Sequence, residues 1–510
     1  MDARWEKDGK YIDDLGQEWD EPPWPPWGLR VGLLATQGIR GGDNRTVLER
    51  IKKSGDIFLA WSDRDWILDG ANVHVSIVGF GAHVAPPPSA VLVPCSPPGA
   101  AVPHETPVPQ GAVLDGQTVP CINADLTADV DTVSARVLPE NGGLAFMGDT
   151  KGGAFDIPWD EARFLLAQPN PNGRPNSDVL KPWVNGADTT QRRRGMWIID
   201  FGCEMAMDHA AGYEGPFRVV RERVEPERRD NRRAAYAARW WIHVEPRPAM
   251  RRALPADRCI ATPNVTKHRL FTFLDARTLP DHQLIVFTRS DDYFFGVLHS
   301  AVHELWARRM GTQLREAESG FRYTPTTCFE TFPLPWPPGS EPAGGPVCQR
   351  IAAAAQALNE QRERWLNPPE WIDPIARSVD LADTFADVPA EARPLIRESA
   401  IMAMAARDPN LRKRTLTNLY NERPTWLVLS HAELNRTVLA AYAAVDPEGG
   451  WSEDWADVWR DSGAGQPLPP GHALAARRFR TLTAVALAIT GQHMSGPRFF
   501  GLAQGKEVWA

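Results

Sequence analysis

The feature that most limits what this chain can fold into is an α/β pattern near its start that stops before a sheet could be complete. Residues 30–37 form a short apolar run, 44–55 have the apolar spacing of a helix, and 56–62 are apolar again. Residues 73–80 alternate between apolar and polar, as in a strand with one buried face. Strand, helix, strand and strand are typical of an α/β sheet. A doubly wound nucleotide-binding sheet needs about five to seven strands, so these residues predict only part of one.

The remaining regions differ in composition. Residues 1–28 are polar and rich in Trp and Pro, which predicts an extension, and the nine prolines of 81–112 predict a loop or insertion. The Pro/Gly-rich segment 329–346 predicts a linker between an α+β region and a helical one. Helical spacing follows at 350–366, 390–407, 430–445 and 473–490. The predicted regions are a polar extension, an α/β remnant, an α+β domain and a mainly helical C-terminal region, at residues 1–28, 29–137, 138–337 and 338–510.

Positive charge is concentrated in the α+β region. The 510 residues have a net charge of −8, so any polyanion-binding surface must be local. Between Pro216 and Arg269 there are 14 Lys and Arg residues but only six Asp and Glu, a local charge of +8. Tyr236, Trp240 and Trp241 are interleaved, which fits a nucleic-acid-binding face where neutralised phosphates release counterions. The alternative is a solvated helix flank with internal Glu–Arg pairs.

Eleven cations in or beside this charge island are the candidate DNA contacts. A helix over residues 226–241 would gather its arginines largely on one side. Arg is well suited to phosphate and guanine edges because its guanidinium donates two parallel hydrogen bonds. The candidates are Arg192, Arg193, Arg194, Arg228, Arg229, Arg232, Arg233, Arg251, Arg252, Lys267 and Arg269.

Other motif-like strings predict no chemistry. Residues 367–369 read Asn-Pro-Pro, similar to the start of the Asn-Pro-Pro-aromatic tetrad of amino-group methyltransferases, but Glu370 follows and the string ends a helical segment. This favours a helix stop. His299 and His303 are four residues apart, yet their order is not that of a zinc helix, which favours a structural role. No GxG-type loop follows a strand near the start, and no P-loop or Cys-x-x-Cys pair occurs. The sequence therefore predicts no catalytic, cofactor-binding or metal-binding residue.

Cysteine spacing and hydropathy indicate a compartment. The six Cys are widely scattered, the first residues are acidic without an apolar core, and no stretch approaches the ~18 apolar residues of a membrane span. We therefore expect a cytoplasmic, nucleoid-associated protein that does not contact membranes.

Several long strings resemble one family in a consistent order over most of residues 29–445. The chain is similar to the MmeI-like adenine-specific DNA methyltransferases of restriction-modification and phage-defence systems. The strings are GLLATQGIRGGDNRTVLERI (32–51), IFLAWSDRDWILDGANVHVSIVGF (57–80), INADLT (122–127), FMGDTKGGAFDI (146–157), PNPNGRPNSDVLKPWVNGAD (169–188), MWIIDFG (196–202), YEGPF (213–217), KHRLF (267–271), DDYFFGVLHSAVHELWA (291–307), RYTPTTCFETFPLPWP (322–337) and LTNLYNERPTWL (416–427).

The resemblance implies a fold and an activity. Residues 29–80 would be the last strands of a Rossmann-like methyltransferase sheet, and 138–337 the target-recognition domain. The complete enzyme would transfer a methyl group from S-adenosylmethionine to the N6 amino group of adenine after base flipping. The match begins after the family's cofactor loop and catalytic tetrad, so no catalytic residue is carried over and we expect no cofactor to bind this chain alone. In related adenine methyltransferases an aromatic before the last hairpin stacks on the flipped base. Trp66 lies near that position, with a packed core Trp as the alternative.

We therefore expect recognition of a specific site in double-stranded DNA by the C-terminal part of an adenine methyltransferase, with a catalytic half supplied in cis or in trans. Three alternatives stay open at this point: the specificity half of a split enzyme, a catalytically dead DNA-binding fragment, and an interaction scaffold whose arginines bind an acidic protein.

Overall fold

The structure is a computed structural model of the chain. It divides into two compact units, Met1–Ser134 and Ala135–Ala510. The residues that it describes are 11–12, 18–19, 30–40, 42–68, 71–82, 112–119, 121–128, 135–229, 231–313, 320–342, 344–382, 385–447 and 451.

In the described part of the first unit, one helix accompanies a five-stranded sheet and a separate pair of short strands. Two 3-10 turns, Gln37–Arg40 and Gly42–Arg45, precede the helix. The elements are β1 (Tyr11–Ile12), β2 (Glu18–Trp19), β3 (Arg30–Thr36), α1 (Thr46–Ser54), β4 (Gly55–Leu68), β5 (Ala71–Ala82), β6 (Ala112–Leu114) and β7 (Gln117–Val119).

The five-stranded sheet has the order β3-β5-β4-β6-β7. Strand β5 is antiparallel to both β3 and β4, so these two run in the same direction on either side of it, and α1 lies between them in the chain. Leu48 of α1 is fully buried in one core with Ile57, Ala60 and Val78. The predicted order of strand, helix, strand and strand over residues 30–80 is confirmed. The identity of this sheet as the end of a methyltransferase sheet stays a prediction, and the predicted extension and Pro-rich loop lie almost wholly outside the described residues.

The second unit begins with a mixed region, as predicted for an α+β domain. Its described strands form two four-stranded sheets, β15-β10-β11-β9 and β14-β12-β16-β8, and a three-stranded sheet, β13-β18-β17. The strands are β8 (Ala145–Met147), β9 (Asp156–Ile157), β10 (Leu180–Val184), β11 (Trp197–Ile199), β12 (Arg258–Pro263), β13 (Val265–Thr266), β14 (Thr272–Asp275), β15 (Leu279–Pro280), β16 (Leu284–Phe287), β17 (Thr312–Gln313) and β18 (Phe321–Arg322). The helices are α2 (Trp159–Leu166), α3 (Gly186–Thr190), α4 (Met207–Ala211), α5 (Glu214–Arg223), α6 (Glu225–Arg229), α7 (Ala234–Ala238), α8 (Pro248–Ala253), α9 (Asp292–His299) and α10 (Ala301–Met310).

The C-terminal part of this unit is helical, as predicted. The helices are α11 (Pro346–Leu366), α12 (Pro369–Leu381), α13 (Arg393–Ala405), α14 (Leu416–Glu422) and α15 (Thr425–Val445). Three of the four predicted helices are confirmed, and the fourth, 473–490, lies outside the described residues. Because α11 ends at Leu366 and α12 begins at Pro369, the interpretation of Asn-Pro-Pro as a helix stop is confirmed. None of the helices in the described ranges combines the length and apolar character needed to cross a membrane.

The Pro/Gly-rich segment 329–346 is packed rather than exposed along its first half. Phe329, Phe332 and Leu334 are buried in the core that also holds residues of α9, α11 and α15. The prediction of a linker is wrong for these residues because the apolar side chains between the prolines enter a core shared by the mixed and helical regions. The two regions therefore form one compact unit.

His299 and His303 lie inside the same core. His303 Nε2 is 3.0 Å from the Tyr323 hydroxyl and its Nδ1 is 2.7 Å from the Leu298 carbonyl oxygen. His299 Nε2 is 3.2 Å from the Tyr420 hydroxyl. Both imidazoles join buried polar networks, which confirms the structural role inferred from the sequence.

Candidate nucleic-acid interface

Residues 226–241, predicted as one helix, form two short helices, α6 and α7, and α5 precedes them. Arg232 and Arg233 lie in the turn between α6 and α7, where Asn231 Oδ1 accepts a hydrogen bond from Arg233 N at 2.9 Å. Asn side chains compete with helical hydrogen bonds in this way and favour turns. The prediction of one helix that gathers all these arginines on one side is therefore wrong.

Arg228 is buried and serves the fold. Its guanidinium donates to the carbonyl oxygens of Lys151 at 2.6 Å, Ile242 at 2.6 Å and Gly152 at 3.1 Å. Burial lowers the pKa of Arg228, and nearby Tyr236 offsets part of this effect. A side chain whose donors are used by interior carbonyls cannot also bind phosphate, so its assignment as a DNA contact is corrected.

Arg251 is the centre of a buried ion network. Its guanidinium contacts Asp149 Oδ2 at 2.5 Å and Asp200 Oδ2 at 2.6 Å. His243 Nδ1 lies 2.7 Å from Asp149 Oδ1, and Lys181 Nζ lies 2.9 Å from Asp200 Oδ2. Burial would raise the pKa of Asp200, but Lys181, Arg251 and His243 outweigh it and hold that pKa below its usual range. Arg251 therefore compensates two interior carboxylates and does not face DNA.

Arg269 is fully buried. It donates to the Pro263 carbonyl oxygen and, at 3.1 Å, to Thr262 Oγ1, and its guanidinium lies 4.9 Å from the centre of the Tyr323 ring. Burial lowers the pKa of Arg269 to about 10, with Glu304 acting in the opposite direction. Its assignment as a DNA contact is corrected for the same reason as that of Arg228.

Arg192 and Arg193 contact the C-terminal helices, Arg193 through Glu398 of α13 at 3.9 Å. Arg194 bonds within the mixed region. Arg192 donates to the Leu366 carbonyl oxygen at 2.8 Å, and Arg193 to the Phe273 carbonyl oxygen at 3.3 Å. Burial lowers the pKa of Arg192, with Glu363 opposing it.

Arg194 forms two hydrogen bonds to the buried Asp188, from Nε at 3.0 Å and from Nη2 at 2.9 Å, although its side chain is 49% exposed. Gly195 follows with φ +66°, and a Cβ there would overlap the Ser399 carbonyl oxygen on α13. The triple-Arg segment thus fastens two parts of one unit together.

Six of the eleven candidates are exposed: Arg194, which pairs with the buried Asp188, and Arg229, Arg232, Arg233, Arg252 and Lys267. The side chain of Arg229 is 71% exposed and forms an ion pair with Glu225 at 3.3 Å. Arg233 donates to the Tyr236 hydroxyl at 2.8 Å. These contacts are local and solvated, so the guanidiniums stay able to meet an incoming anion.

The sequence reasoning missed several surface arginines, among them two on α5. Arg218 and Arg221 are exposed on α5, whose other face buries Val219 and Val220. Their three-residue spacing on the polar face of a short amphipathic helix was the available signal. We call Arg218, Arg221, Arg229, Arg232 and Arg233 together the arginine surface. Glu214, Glu222 and Glu227 are exposed on the same helices, so its positive excess is smaller than the sequence count indicated.

The interleaved Trp residues pack instead of forming an open stacking platform. Trp240 lies against Phe217 with ring centres 5.3 Å apart, and against Trp241 at 5.9 Å. Trp241 Nε1 donates to the Met205 carbonyl oxygen at 2.9 Å. These rings attach the region after α7 to α5, which carries Arg218 and Arg221.

Trp66 lies in the first unit, on β4 opposite Val73 of β5. Its side chain is 41% exposed. A half-open aromatic ring is accessible to a stacking partner, and its role with a flipped base stays a prediction.

Comparison with known proteins gives this arrangement a context. Residues 151–336 match the family model described as the target recognition domain of MmeI. This region is an MmeI-like target-recognition domain. The type IIL restriction-modification enzyme MmeI, solved in complex with DNA, is similar in fold, with a TM-score of 0.52 and 17% sequence identity. The similarity covers 84% of this chain and 48% of that enzyme, so the chain spans about half the length of MmeI. No curated protein matches the chain in sequence.

The arginine surface lies entirely within the target-recognition domain, on α5, α6 and the turn after α6. Arg228, Arg251 and Arg269 belong to the same domain but to its interior. Trp66 lies outside it.

Proposed function

We propose that this chain binds double-stranded DNA through its target-recognition domain and forms the C-terminal part of a restriction-modification enzyme. The observation that carries the proposal is the arginine surface inside a region that matches the MmeI target-recognition domain. MmeI itself was solved with DNA, which supports the same ligand class here.

The physical basis is local charge on an acidic chain. A net charge of −8 repels DNA at long range, so binding requires several guanidiniums that meet the phosphate backbone together. Each neutralised phosphate releases counterions and makes the affinity depend on salt. Phosphate contacts position a protein on the duplex, and base contacts add specificity.

We further propose that the complete enzyme is an S-adenosylmethionine-dependent N6-adenine methyltransferase that acts in the cytoplasm in restriction-modification or phage defence. In the order β3-β5-β4, strand β5 is antiparallel to β3 and β4, which run in the same direction. This order supports the interpretation of residues 29–80 as the end of the methyltransferase sheet. The turn after β3 is held by contacts within this chain. After β3 the chain turns into a 3-10 helix with Ile39 buried, and Arg40 donates to the carbonyl oxygens of Asp125 and Ser62. These contacts support a cofactor site elsewhere, and we propose that a further part of the enzyme, in cis or in trans, supplies cofactor binding and catalysis.

Trp66 is our candidate for stacking on the flipped adenine. In a reconstituted enzyme, Trp66→Ala should slow methyl transfer while DNA binding by the target-recognition domain stays unchanged. An unchanged rate of methyl transfer would assign Trp66 to packing alone.

Fluorescence anisotropy of a labelled DNA duplex, titrated with the full chain, tests DNA binding. We expect the logarithm of the binding constant to fall linearly with the logarithm of salt concentration between about 50 and 200 mM. The triple variant Arg229→Ala, Arg232→Ala, Arg233→Ala should lower the slope by up to about 2.7, roughly 0.9 per phosphate contact. The matched control changes three exposed arginines of the C-terminal helical region, Arg350, Arg377 and Arg407, to Ala and should leave the slope unchanged.

A methyl-transfer assay on the same duplex, run beside the anisotropy titration, separates the alternatives when a methyltransferase half with cofactor loop and tetrad is added. Methyl transfer only with that partner indicates a split enzyme, and DNA binding that never leads to methylation indicates a dead fragment. Absent or salt-insensitive DNA binding contradicts the proposal and favours an interaction scaffold.

A further inference from the structure

An exposed turn of the target-recognition domain carries an arginine outside the charge island. Residues 171–175, Pro-Asn-Gly-Arg-Pro, are all exposed, and the next residue, Asn176, is fully buried. Gly173 has φ +71° with open space around it, and its amide donates to the Asn170 carbonyl oxygen at 2.9 Å. The turn therefore projects into solvent from a buried base.

Two buried asparagines hold the base of the turn. Asn170 Nδ2 donates to the Arg174 carbonyl oxygen at 2.8 Å and to Asn176 Oδ1 at 2.7 Å. Asn176 Nδ2 donates to the carbonyl oxygens of Leu165 at 2.7 Å and Gln168 at 3.2 Å. Side-chain amides that replace backbone hydrogen bonds in this way fix the conformation of a turn.

The turn is seated on the start of α5. Asn170 Oδ1 accepts a hydrogen bond from Glu214 N at 3.1 Å, in the first turn of the helix. Gly212 and Gly215 allow a close approach, since a Cβ at either would overlap Asn172 or Gln168. The position of the turn is thus set relative to the helix that carries Arg218 and Arg221.

Arg174 itself is oriented by a buried tyrosine. Its Nη1 lies 3.4 Å from the Tyr213 hydroxyl, and that hydroxyl donates to Asp178 Oδ2 at 2.8 Å. Tyr213 is 1% exposed, so its ring has one position, whereas the guanidinium is exposed. The hydrogen bond uses one of the five N–H donors of Arg174.

We propose that Arg174 is a pre-positioned phosphate contact of the target-recognition domain, at the end of a row that continues with Arg218 and Arg221 along α5. This inference rests on the proposed DNA binding. At 1.5 Å per residue, Arg218 lies about 6 Å and Arg221 about 10.5 Å beyond Glu214 along the helix axis. Phosphates of one DNA strand are separated by about 3.4 Å of duplex axis, so a row of this length spans several of them. Tyr213 is a positioning residue, because it acts on DNA only through Arg174.

The test measures binding of a labelled random-sequence duplex to the full chain at several salt concentrations. Arg174→Ala should weaken binding about fivefold to tenfold near 0.1 M salt and lower the salt slope by about 0.9. Arg174→Lys, which keeps the charge, should restore most of the slope. Arg377→Ala, which removes an exposed Arg from α12, is the matched control and should change neither.

Tyr213→Phe separates positioning from folding. It removes the hydroxyl between Arg174 and Asp178 but keeps the buried ring, so we expect weaker binding with the wild-type salt slope. Melting temperatures of all variants show whether the domain stays folded.

The outcomes distinguish this inference from the proposed function. If the wild-type chain shows no salt-dependent binding, the proposed function fails. If the wild-type chain binds DNA and Arg174→Ala binds equally well with an unchanged slope, Arg174 only stabilises its own turn and the inference is overturned. If Arg174→Ala does not fold, Arg174→Gln replaces it, because it keeps most of the side chain and removes the charge: a slope lowered by about 0.9 supports the inference, and an unchanged slope overturns it.

Discussion

Arg251 and Arg252 are neighbours on α8 with opposite environments, and this pair offers a sharp test of the structure. Arg251 contacts Asp149, Asp200 and the Pro246 carbonyl oxygen at 2.5 to 2.6 Å, and its side chain is only 15% exposed. Arg252 is exposed and donates to the Pro248 carbonyl oxygen of its own helix. Both were candidate DNA contacts, and only one of them reaches solvent.

Arg251→Ala should destabilise the target-recognition domain strongly. Removing one partner of a buried ion pair costs about 3–5 kcal/mol because the other charge stays uncompensated. Lys181 still contacts Asp200 and His243 still contacts Asp149, so we expect the lower end, about 3 kcal/mol. Arg252→Ala should change stability by less than about 0.5 kcal/mol.

Hydrogen exchange of the β11 amides, measured by mass spectrometry on the full chain, reads out this difference locally. A loss of about 3 kcal/mol corresponds to roughly a hundredfold faster exchange, since 1.4 kcal/mol is a factor of ten. Equal protection in Arg251→Ala and Arg252→Ala would refute the buried network. If Arg251→Ala lost DNA affinity while its β11 amides exchanged as slowly as in wild type, Arg251 would be a DNA contact after all.

Three further outcomes follow from the same interior contacts. Gly195→Ala should lower the melting temperature, because φ is positive and the new Cβ meets the Ser399 carbonyl oxygen, at a cost of about 1–3 kcal/mol or more. Arg228→Met should cost about 2–4 kcal/mol in chemical denaturation, because three interior carbonyl oxygens lose their donor. The pKa of Asp200 is lower in the folded state than its usual value near 3.9, so its stabilising contribution is present above about pH 4 and disappears as pH falls below that. Asp200→Asn should therefore be less stable than wild type at pH 7 in thermal melts, and the difference should shrink under acid; a constant difference would contradict the ion network.

The sequence by itself determined the order of elements over residues 30–80 and the helical character of the C-terminal region. The strand, helix, strand and strand over residues 30–80 and the helices of the C-terminal region follow from the spacing of apolar residues, which depends only on local periodicity. The end of α11 at Leu366 follows from the two prolines that come after it. The resemblance located the target-recognition domain because the strings shared with the family follow one another in the same order along both sequences.

Only the tertiary structure decided which arginines are available to DNA. The acceptors of Arg228 come from residues up to 77 positions away, and Asp149 lies 102 positions from Arg251. Charge can be counted along a sequence, whereas burial depends on partners that the fold brings together. Arg228 and Arg229 have the same chemistry and adjacent numbers, yet only Arg229 faces solvent.

The same reasoning explains the residues that were overlooked. Arg174 lies 39 positions from Tyr213, and nothing near it in the sequence indicates that a buried hydroxyl orients it. The segment 329–346 looked like a linker because prolines and glycines are typical of loops, but Phe329, Phe332 and Leu334 bury their side chains in a shared core. Local patterns define what each segment can form, and non-local packing decides which of its side chains stay in water.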